Sequence, residues 1–129
     1  MNKLELLKQG YKNFAEGNID AVIAIWHPDI EWKACTGIPY INSNGIYKGS
    51  QEIVNGVFAQ IPNYFEDFNI EISDLIDGGD KIVMVGFYTG TWKATGKKFT
   101  ANATNIWTFK GEKISHFFEA ADSAEIMNP

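Results

Sequence analysis

Positions 99–109 alternate between two kinds of residue without a break. One line of this alternation is apolar apart from a single amide and consists of Phe99, Ala101, Ala103, Asn105, Trp107 and Phe109. A period of two predicts a β-strand with two unlike faces, and it places Asn105 on the buried face. A buried amide without hydrogen-bond partners costs about 1–3 kcal/mol. Either the protein or a ligand must therefore supply partners for Asn105.

The beginning of the chain is predicted to be helical. The first helix is favoured by four residues at spacings of three and four that share one face, namely Leu4, Leu7, Tyr11 and Phe14, and it ends at Gly17. Asn18 is a suitable N-cap for a second helix, whose apolar face extends to Trp26 and which His27-Pro28 stops.

The next stretch combines a strand, a loop and a third helix. Positions 30–35 alternate as a short strand, and positions 37–49 hold three glycines, a proline and two asparagines, which indicates a loop. Ser50 is a good N-cap for a third helix, and Pro62 closes that helix.

The rest of the chain reads as β-structure. Antiparallel strands are predicted over positions 68–76, 82–92, 99–109 and 114–121. They are separated by the turn sequences Asp77-Gly78-Gly79-Asp80, Thr95-Gly96 and Lys110-Gly111. The order predicts one α+β domain over residues 1–129, with helices packed on one face of a curved sheet.

The strand over positions 82–92 is apolar on both faces. Val83, Val85 and Phe87 point one way, whereas Ile82, Met84 and Tyr88 point the other way. Helices can cover only one of these faces. We therefore expect a homodimer formed through the sheet.

Composition narrows the classes of function. The net charge is −5, and all eleven basic residues are lysines, so neither a basic nucleic-acid-binding stripe nor arginine recognition of phosphate is expected. The single cysteine, Cys35, cannot form an internal disulfide. No signal segment and no apolar run of about 18 residues is found, so we expect a cytoplasmic protein without membrane contact.

Short motifs along the chain indicate a family. They are GIYKG at 45–49, GDKIV at 79–83, GTWKATGK at 90–97, IWT at 106–108, GEKI at 111–114 and DSA at 122–124. Their order and spacing resemble those of SnoaL-like, ketosteroid-isomerase-related proteins of the nuclear-transport-factor-2-like superfamily. The resemblance implies a cone-shaped barrel with an internal pocket, in which a curved, mostly antiparallel sheet carries three helices on its concave face. This fold hosts several unrelated activities as well as binding modules.

The resemblance also implies a role for Asn105. Its strand position matches the one that holds a neutral carboxylic acid in steroid isomerases, where that acid donates a hydrogen bond to a developing oxyanion. An amide NH₂ donates such a bond without any pKa adjustment. The proton-carrying carboxylate of those isomerases corresponds to Ala34, which cannot carry a proton, so steroid isomerisation is not expected. The epoxide hydrolases of the fold depend on an arginine that is absent here.

Two carboxylates are candidates for proton transfer. Glu119 lies on the last strand among uncharged neighbours, and burial would raise its pKa enough for acid–base work near neutral pH, whereas a strand-end glutamate would reach solvent. Asp122 matches the region where SnoaL-like cyclases use an acidic residue, although an N-cap role explains it fully.

Aromatic residues are the candidates for a pocket wall. The candidates for ligand contact are Trp32, Tyr47, Phe58, Trp107 and Phe117, with Tyr47 as the best lid candidate in the loop. A core position is the alternative for Tyr47 and Phe58, and Trp107 can belong to both wall and core. Two distant histidines and one cysteine give no metal site, and no cofactor is implied.

The sequence therefore predicts a small, largely apolar ligand with one carbonyl or enol oxygen, and proton transfer next to that carbonyl by an isomerase, cyclase or dehydratase. A non-catalytic binding or dimerisation module is the alternative, and a structural dimer with a filled core is a third possibility.

Overall fold

A computed structural model describes residues 2–129 as one six-stranded, curved and unclosed sheet with helices against it. The strands are β1 (Trp26–Lys33), β2 (Ile46–Lys48), β3 (Phe65–Asp77), β4 (Lys81–Trp92), β5 (Lys98–Lys110) and β6 (Lys113–Ala121). The helices are α1 (Lys3–Ala15), α2 (Ile19–Ile23), α3 (Gly49–Gly56), α4 (Ile61–Tyr64) and α5 (Ser123–Met127), with a 3₁₀ turn at Phe58–Gln60. The sheet order is β2-β1-β6-β5-β4-β3. This arrangement confirms the predicted α+β architecture.

The four strands β3 to β6 are antiparallel, as predicted, and the only parallel pair among the described strands is β1 with β6. The connections at positions 78–80, 93–97 and 111–112 separate these strands. The alternation within β4 is confirmed as well, because Ile82, Met84 and Tyr88 are buried whereas Val85 is exposed. Local turn chemistry and a period of two were sufficient to place these strands.

Helix α1 confirms the first predicted helix. The Asn2 side chain caps it by accepting a 2.8 Å hydrogen bond from the backbone N–H of Glu5. Leu7, on the apolar face of α1, is fully buried. Gly17 follows the end of the helix and has a φ of 74°. This helix covers the sheet beside β3 and carries Tyr11 into the interior.

The second helix is shorter than predicted. It ends at Ile23, and Trp26 begins β1 instead of ending a helix. Trp26 lies opposite Ile114 in the parallel pairing of β1 with β6, a contact between distant parts of the chain that overrides local helix preference. The register shifts between Trp26 and Glu31, and Pro28 is tolerated within this irregularity because a proline there costs no ladder hydrogen bond.

The third predicted helix is also corrected. Helix α3 begins at Gly49, and the predicted loop before it contains strand β2. The helix ends at Gly56, where a Cβ atom would lie 2.5 Å from the Tyr47 ring. Val57, with φ and ψ of −120° and −67°, leaves helical geometry. Pro62 does not close a helix but lies in the first turn of α4, where its missing N–H has no cost.

The core consists of two adjoining hydrophobic clusters on the helix side of the sheet. The larger cluster surrounds Trp32, and the second surrounds Met84 and Phe99. Within residues 2–129, no helix is long and apolar enough to cross a membrane. Asn105 lies on β5 between Ala103 of the second cluster and Trp107 of the larger one.

Candidate functional site

Asn105 and Glu119 lie directly opposite each other on β5 and β6. Residues opposite each other in an antiparallel pair point to the same face of the sheet. Both side chains accordingly line one internal cavity beneath the helices. The sequence could name these two residues but could not show that they share a cavity.

The protein itself supplies the hydrogen-bond partners of Asn105. The Tyr11 hydroxyl of α1 donates to Asn105 Oδ1 at 2.8 Å, and Asn105 Nδ2 donates to the Tyr88 hydroxyl of β4 at 2.7 Å. Trp107 Nε1 in turn donates to the Tyr11 hydroxyl at 2.8 Å. These bonds define the direction in which each hydroxyl donates. The second hydrogen on Asn105 Nδ2 has no acceptor among the described residues.

Glu119 ends this chain of hydrogen bonds. The Tyr88 hydroxyl donates to Glu119 Oε2 at 2.6 Å, and the backbone N–H of Cys35 donates to Glu119 Oε1 at 3.0 Å. Burial raises the pKa of Glu119 above its ordinary value of 4.5, while these two hydrogen bonds act to lower it. None of the ion pairs among residues 2–129 involves this carboxylate.

The two tyrosines remain neutral phenols. Burial raises the pKa of Tyr88 well above 10.0, and the nearby Glu119 raises it further. Burial likewise raises the pKa of Tyr11, and the charge of Glu119 adds to that effect. Both hydroxyls therefore keep their protons and serve as hydrogen-bond donors across the neutral pH range.

The cavity has a volume of about 70 Å³, and half of the residues in its wall are aromatic. Trp32 packs against the other predicted aromatic residues of this wall, with its ring centroid 3.7 Å from that of Phe117, 5.5 Å from that of Phe58 and 5.6 Å from that of Trp107. These four aromatic residues were predicted as ligand contacts, and the structure places all of them at this wall. The space holds a few water molecules or a small group, so a larger ligand requires movement of the wall.

Two other predicted residues lie away from the cavity wall. Asp122 is exposed and caps α5 by accepting a 3.2 Å hydrogen bond from the backbone N–H of Glu125. Tyr47 is buried behind α3, and its hydroxyl accepts a 2.9 Å hydrogen bond from the backbone N–H of Asn42. Tyr47 therefore anchors the loop from within instead of forming an exposed lid.

Sequence reasoning gave no polar role to Tyr11 or Tyr88. It placed Tyr11 on the buried face of a helix and Tyr88 on an apolar strand face, and both positions are confirmed. A usable signal was available, because a buried phenol needs a hydrogen-bond partner just as a buried amide does. Within residues 2–129, no group of three or more His, Cys, Asp or Glu side chains is arranged to hold a metal ion.

Solved structures share this architecture. A nuclear-transport-factor-2-like protein from Burkholderia thailandensis superposes with a TM-score of 0.90 at 28% identity, covering 100% of this chain and 99% of that one. TerC, co-crystallised with polyporic acid, gives 0.85 at 21% identity, covering 97% and 95%. A SnoaL-like polyketide cyclase homologue from Shewanella denitrificans gives 0.77 at 15% identity, covering 98% and 94%. The fold therefore defines a nuclear-transport-factor-2-like protein.

The SnoaL-like domain model matches residues 7–117, which is most of the chain. The protein thus belongs to the SnoaL-like domain family, as the sequence motifs predicted. No curated protein matches its sequence.

Proposed function

We propose that this protein binds a small, largely apolar molecule in the cavity and transfers a proton at a carbon next to a carbonyl group. One observation carries the proposal: Asn105 and Glu119 are paired across β5 and β6, and both line the same aromatic cavity. A hydrogen-bond donor and a proton carrier on one wall are the two groups that such a reaction requires.

Glu119 is the proton carrier in this proposal. Its raised pKa brings the ionised and protonated forms closer in free energy near neutral pH, which suits a group that first accepts and then returns a proton. The bonds from Tyr88 and Cys35 hold the carboxylate in one orientation. Asp122 is exposed at the start of α5, and in this proposal it caps that helix and transfers no proton.

Asn105 stabilises the substrate oxygen in this proposal. The free hydrogen on Asn105 Nδ2 can donate to a carbonyl oxygen as negative charge develops on it. Tyr11 and Tyr88 fix the amide plane, because they engage Oδ1 and Nδ2 from opposite sides. The apolar wall lowers the local dielectric constant and strengthens these electrostatic contacts.

A non-catalytic binding module is the second candidate, and a specific observation favours it. Each buried side-chain nitrogen and oxygen of the described residues already has at least one hydrogen-bond partner within the protein. Such a self-contained network can rigidify a binding pocket without taking part in chemistry.

Deuterium exchange distinguishes the two candidates without knowledge of the natural substrate. A panel of small uncharged ketones and enones is incubated with the protein in D₂O, and loss of the proton next to the carbonyl is followed by NMR. We expect the wild type to accelerate exchange of some members and Glu119→Gln to abolish that acceleration. Asp122→Asn is the matched control and should behave as the wild type. Equal acceleration by wild type and Glu119→Gln would refute Glu119 as the proton carrier, and binding without any acceleration of exchange would favour the module.

A further inference from the structure

Three concave spaces meet at one place in this molecule. The aromatic cavity described above is the first, and a side cavity of about 40 Å³ lies on the other side of Tyr88 and Glu119, since both residues line both spaces. The third is an open groove on the surface between the end of α1, α4 and the start of β3. Ile61 and Phe68 line all three spaces.

The backbone around these two residues is irregular. Ile61 begins the four-residue helix α4, which follows the break at Val57 and a single 3₁₀ turn. Phe68 follows Asp67, which has a φ of 55° and is the one non-glycine residue with positive φ among residues 2–129. The pairing of β3 with β4 also shifts register between Glu66 and Asn69. Short helices and bulged strands move at lower cost than regular elements, and bulges redirect side chains toward sites.

The Phe68 ring lies directly against the polar centre of the site. Its centroid is 5.5 Å from the ring of Tyr88, whose hydroxyl holds Glu119. Ile61 and Phe68 are each only partly buried, because one side of each faces the open groove. A displacement of these two side chains would therefore join the groove to both internal cavities at the point where Tyr88 and Glu119 lie.

We propose that Ile61 and Phe68 form a movable wall, and that its displacement turns the two cavities into the two lobes of one binding site entered from the groove. The inference rests on the proposed binding function and names its ligand class. The ligand is an elongated, uncharged molecule with two apolar ends and an oxygen near its middle, where Tyr88, Asn105 and Glu119 lie.

The charges along the three spaces argue against an anionic ligand. The charged residues that line them are Asp20 and Asp67 in the groove and Glu119 inside. All three are acidic, so an anion would be repelled at the entrance and again inside. The remaining lining is dominated by apolar and aromatic side chains, which favour burial of apolar surface.

Acrylamide quenching of tryptophan fluorescence tests the wall directly. In a Trp92→Phe background, the three remaining tryptophans all line the aromatic cavity and are at most 8% exposed. We expect Ile61→Ala and Phe68→Ala to raise the quenching rate constant about threefold or more, and the filling variant Ile61→Phe to lower it. Ile70→Ala is the control, because Ile70 lines the aromatic cavity but neither the side cavity nor the groove. Far-UV circular dichroism verifies that each variant is folded. Equal quenching rate constants for Phe68→Ala and Ile70→Ala would refute the movable wall.

Two probes test the two-lobed site by calorimetry. Phenol fits one lobe, whereas 4-phenylphenol needs both. We expect Phe68→Ala to bind 4-phenylphenol about tenfold more tightly than the wild type, because the cost of moving the wall is removed, with phenol affinity nearly unchanged. Ile70→Ala should change the affinity of both probes alike.

An equal change in affinity for both probes in Phe68→Ala would refute the two-lobed site. Tighter binding of phenyltrimethylammonium than of phenol would refute an uncharged ligand. Failure of every probe to bind would count against both the proposed function and the two-lobed site. The quenching experiment would still show whether Ile61 and Phe68 form a movable wall, because it does not depend on binding.

Discussion

The Tyr88 hydroxyl joins Asn105 to Glu119, accepting from the amide at 2.7 Å and donating to the carboxylate at 2.6 Å. A single hydroxyl thus connects the oxygen-holding group with the proton carrier of the proposed site. Because the bond from Tyr88 acts to lower the pKa of Glu119, this contact influences stability as well as chemistry.

Removing this hydroxyl should be costly. Tyr88→Phe leaves Asn105 Nδ2 and Glu119 Oε2 each without a partner, and we expect the free energy of unfolding to fall by about 1–3 kcal/mol. The pKa of Glu119 should rise further, since a bond that favours the carboxylate is lost. Urea denaturation and carboxyl-selective NMR titration measure the two effects. Tyr64→Phe is the control, because the Tyr64 hydroxyl makes no hydrogen bond among the described residues. An unchanged Glu119 pKa in Tyr88→Phe would contradict the assigned bond.

Stability should depend on pH through Glu119. Its pKa is raised on folding, so the protonated form is the one that the folded state favours. The resulting stabilisation is fully present below the ordinary value of 4.5 and is lost as the pH rises through the folded-state pKa. Glu119→Gln cannot titrate and should lack this loss.

The measurement compares urea denaturation of wild type and Glu119→Gln from acid to neutral pH. The free energy of unfolding of the wild type minus that of the variant should decrease as the pH rises above 4.5. Asp122→Asn should follow the wild type across this range. A difference that is constant or that increases with pH would show that folding does not raise the pKa of Glu119.

Trp32 should dominate the stability of the aromatic wall. Its ring lies within 5.6 Å of the rings of Trp26, Phe58, Trp107 and Phe117, measured between centroids, and it is 4% exposed. Trp32→Ala should lower the free energy of unfolding by about 3–5 kcal/mol through loss of buried surface and creation of a cavity. Trp92→Ala, at a partly exposed position, should cost less. A smaller loss for Trp32 than for Trp92 would be inconsistent with this packing.

The outer face of the sheet favours a second copy of the chain, and we propose a homodimer through it. Ile76, Val83, Ile106 and Phe118 lie side by side across β3, β4, β5 and β6, with Ile76 49% and Phe118 45% exposed. A row of apolar residues across four strands is more than the scattered exposure that a monomer tolerates.

Light scattering at micromolar concentration tests the dimer. The wild type should have twice the mass of one chain, and Phe118→Asp should shift the population to monomer because it places a charge in the interface. Ile46→Asp is the matched control, since Ile46 is 42% exposed on the edge strand β2. A monomeric wild type would refute the proposal.

Much of this fold could be predicted from local patterns. The alternation over 99–109 and the turn at Lys110-Gly111 placed β5 and β6 correctly because hairpin pairing depends on neighbouring residues. The segment from Trp26 was misassigned because its pairing with Ile114 joins parts of the chain that are far apart in sequence. The third helix is shorter than its apolar spacing predicts. It ends at Gly56, whose contact with the Tyr47 ring cannot be predicted from the spacing of apolar residues.

The residue pattern was enough to predict the strands β3 to β6 and one amide on an apolar face, because side-chain periodicity is a local property of the backbone. The short motifs were enough to predict the family. The residues that satisfy that amide are visible only in the folded chain. Tyr11 comes from a helix 94 residues away and Tyr88 from a strand 17 residues away, and only folding brings both hydroxyls to Asn105. The register of β5 with β6 likewise decided that Glu119 shares its cavity, since a slip of one residue would have turned that carboxylate to the opposite face.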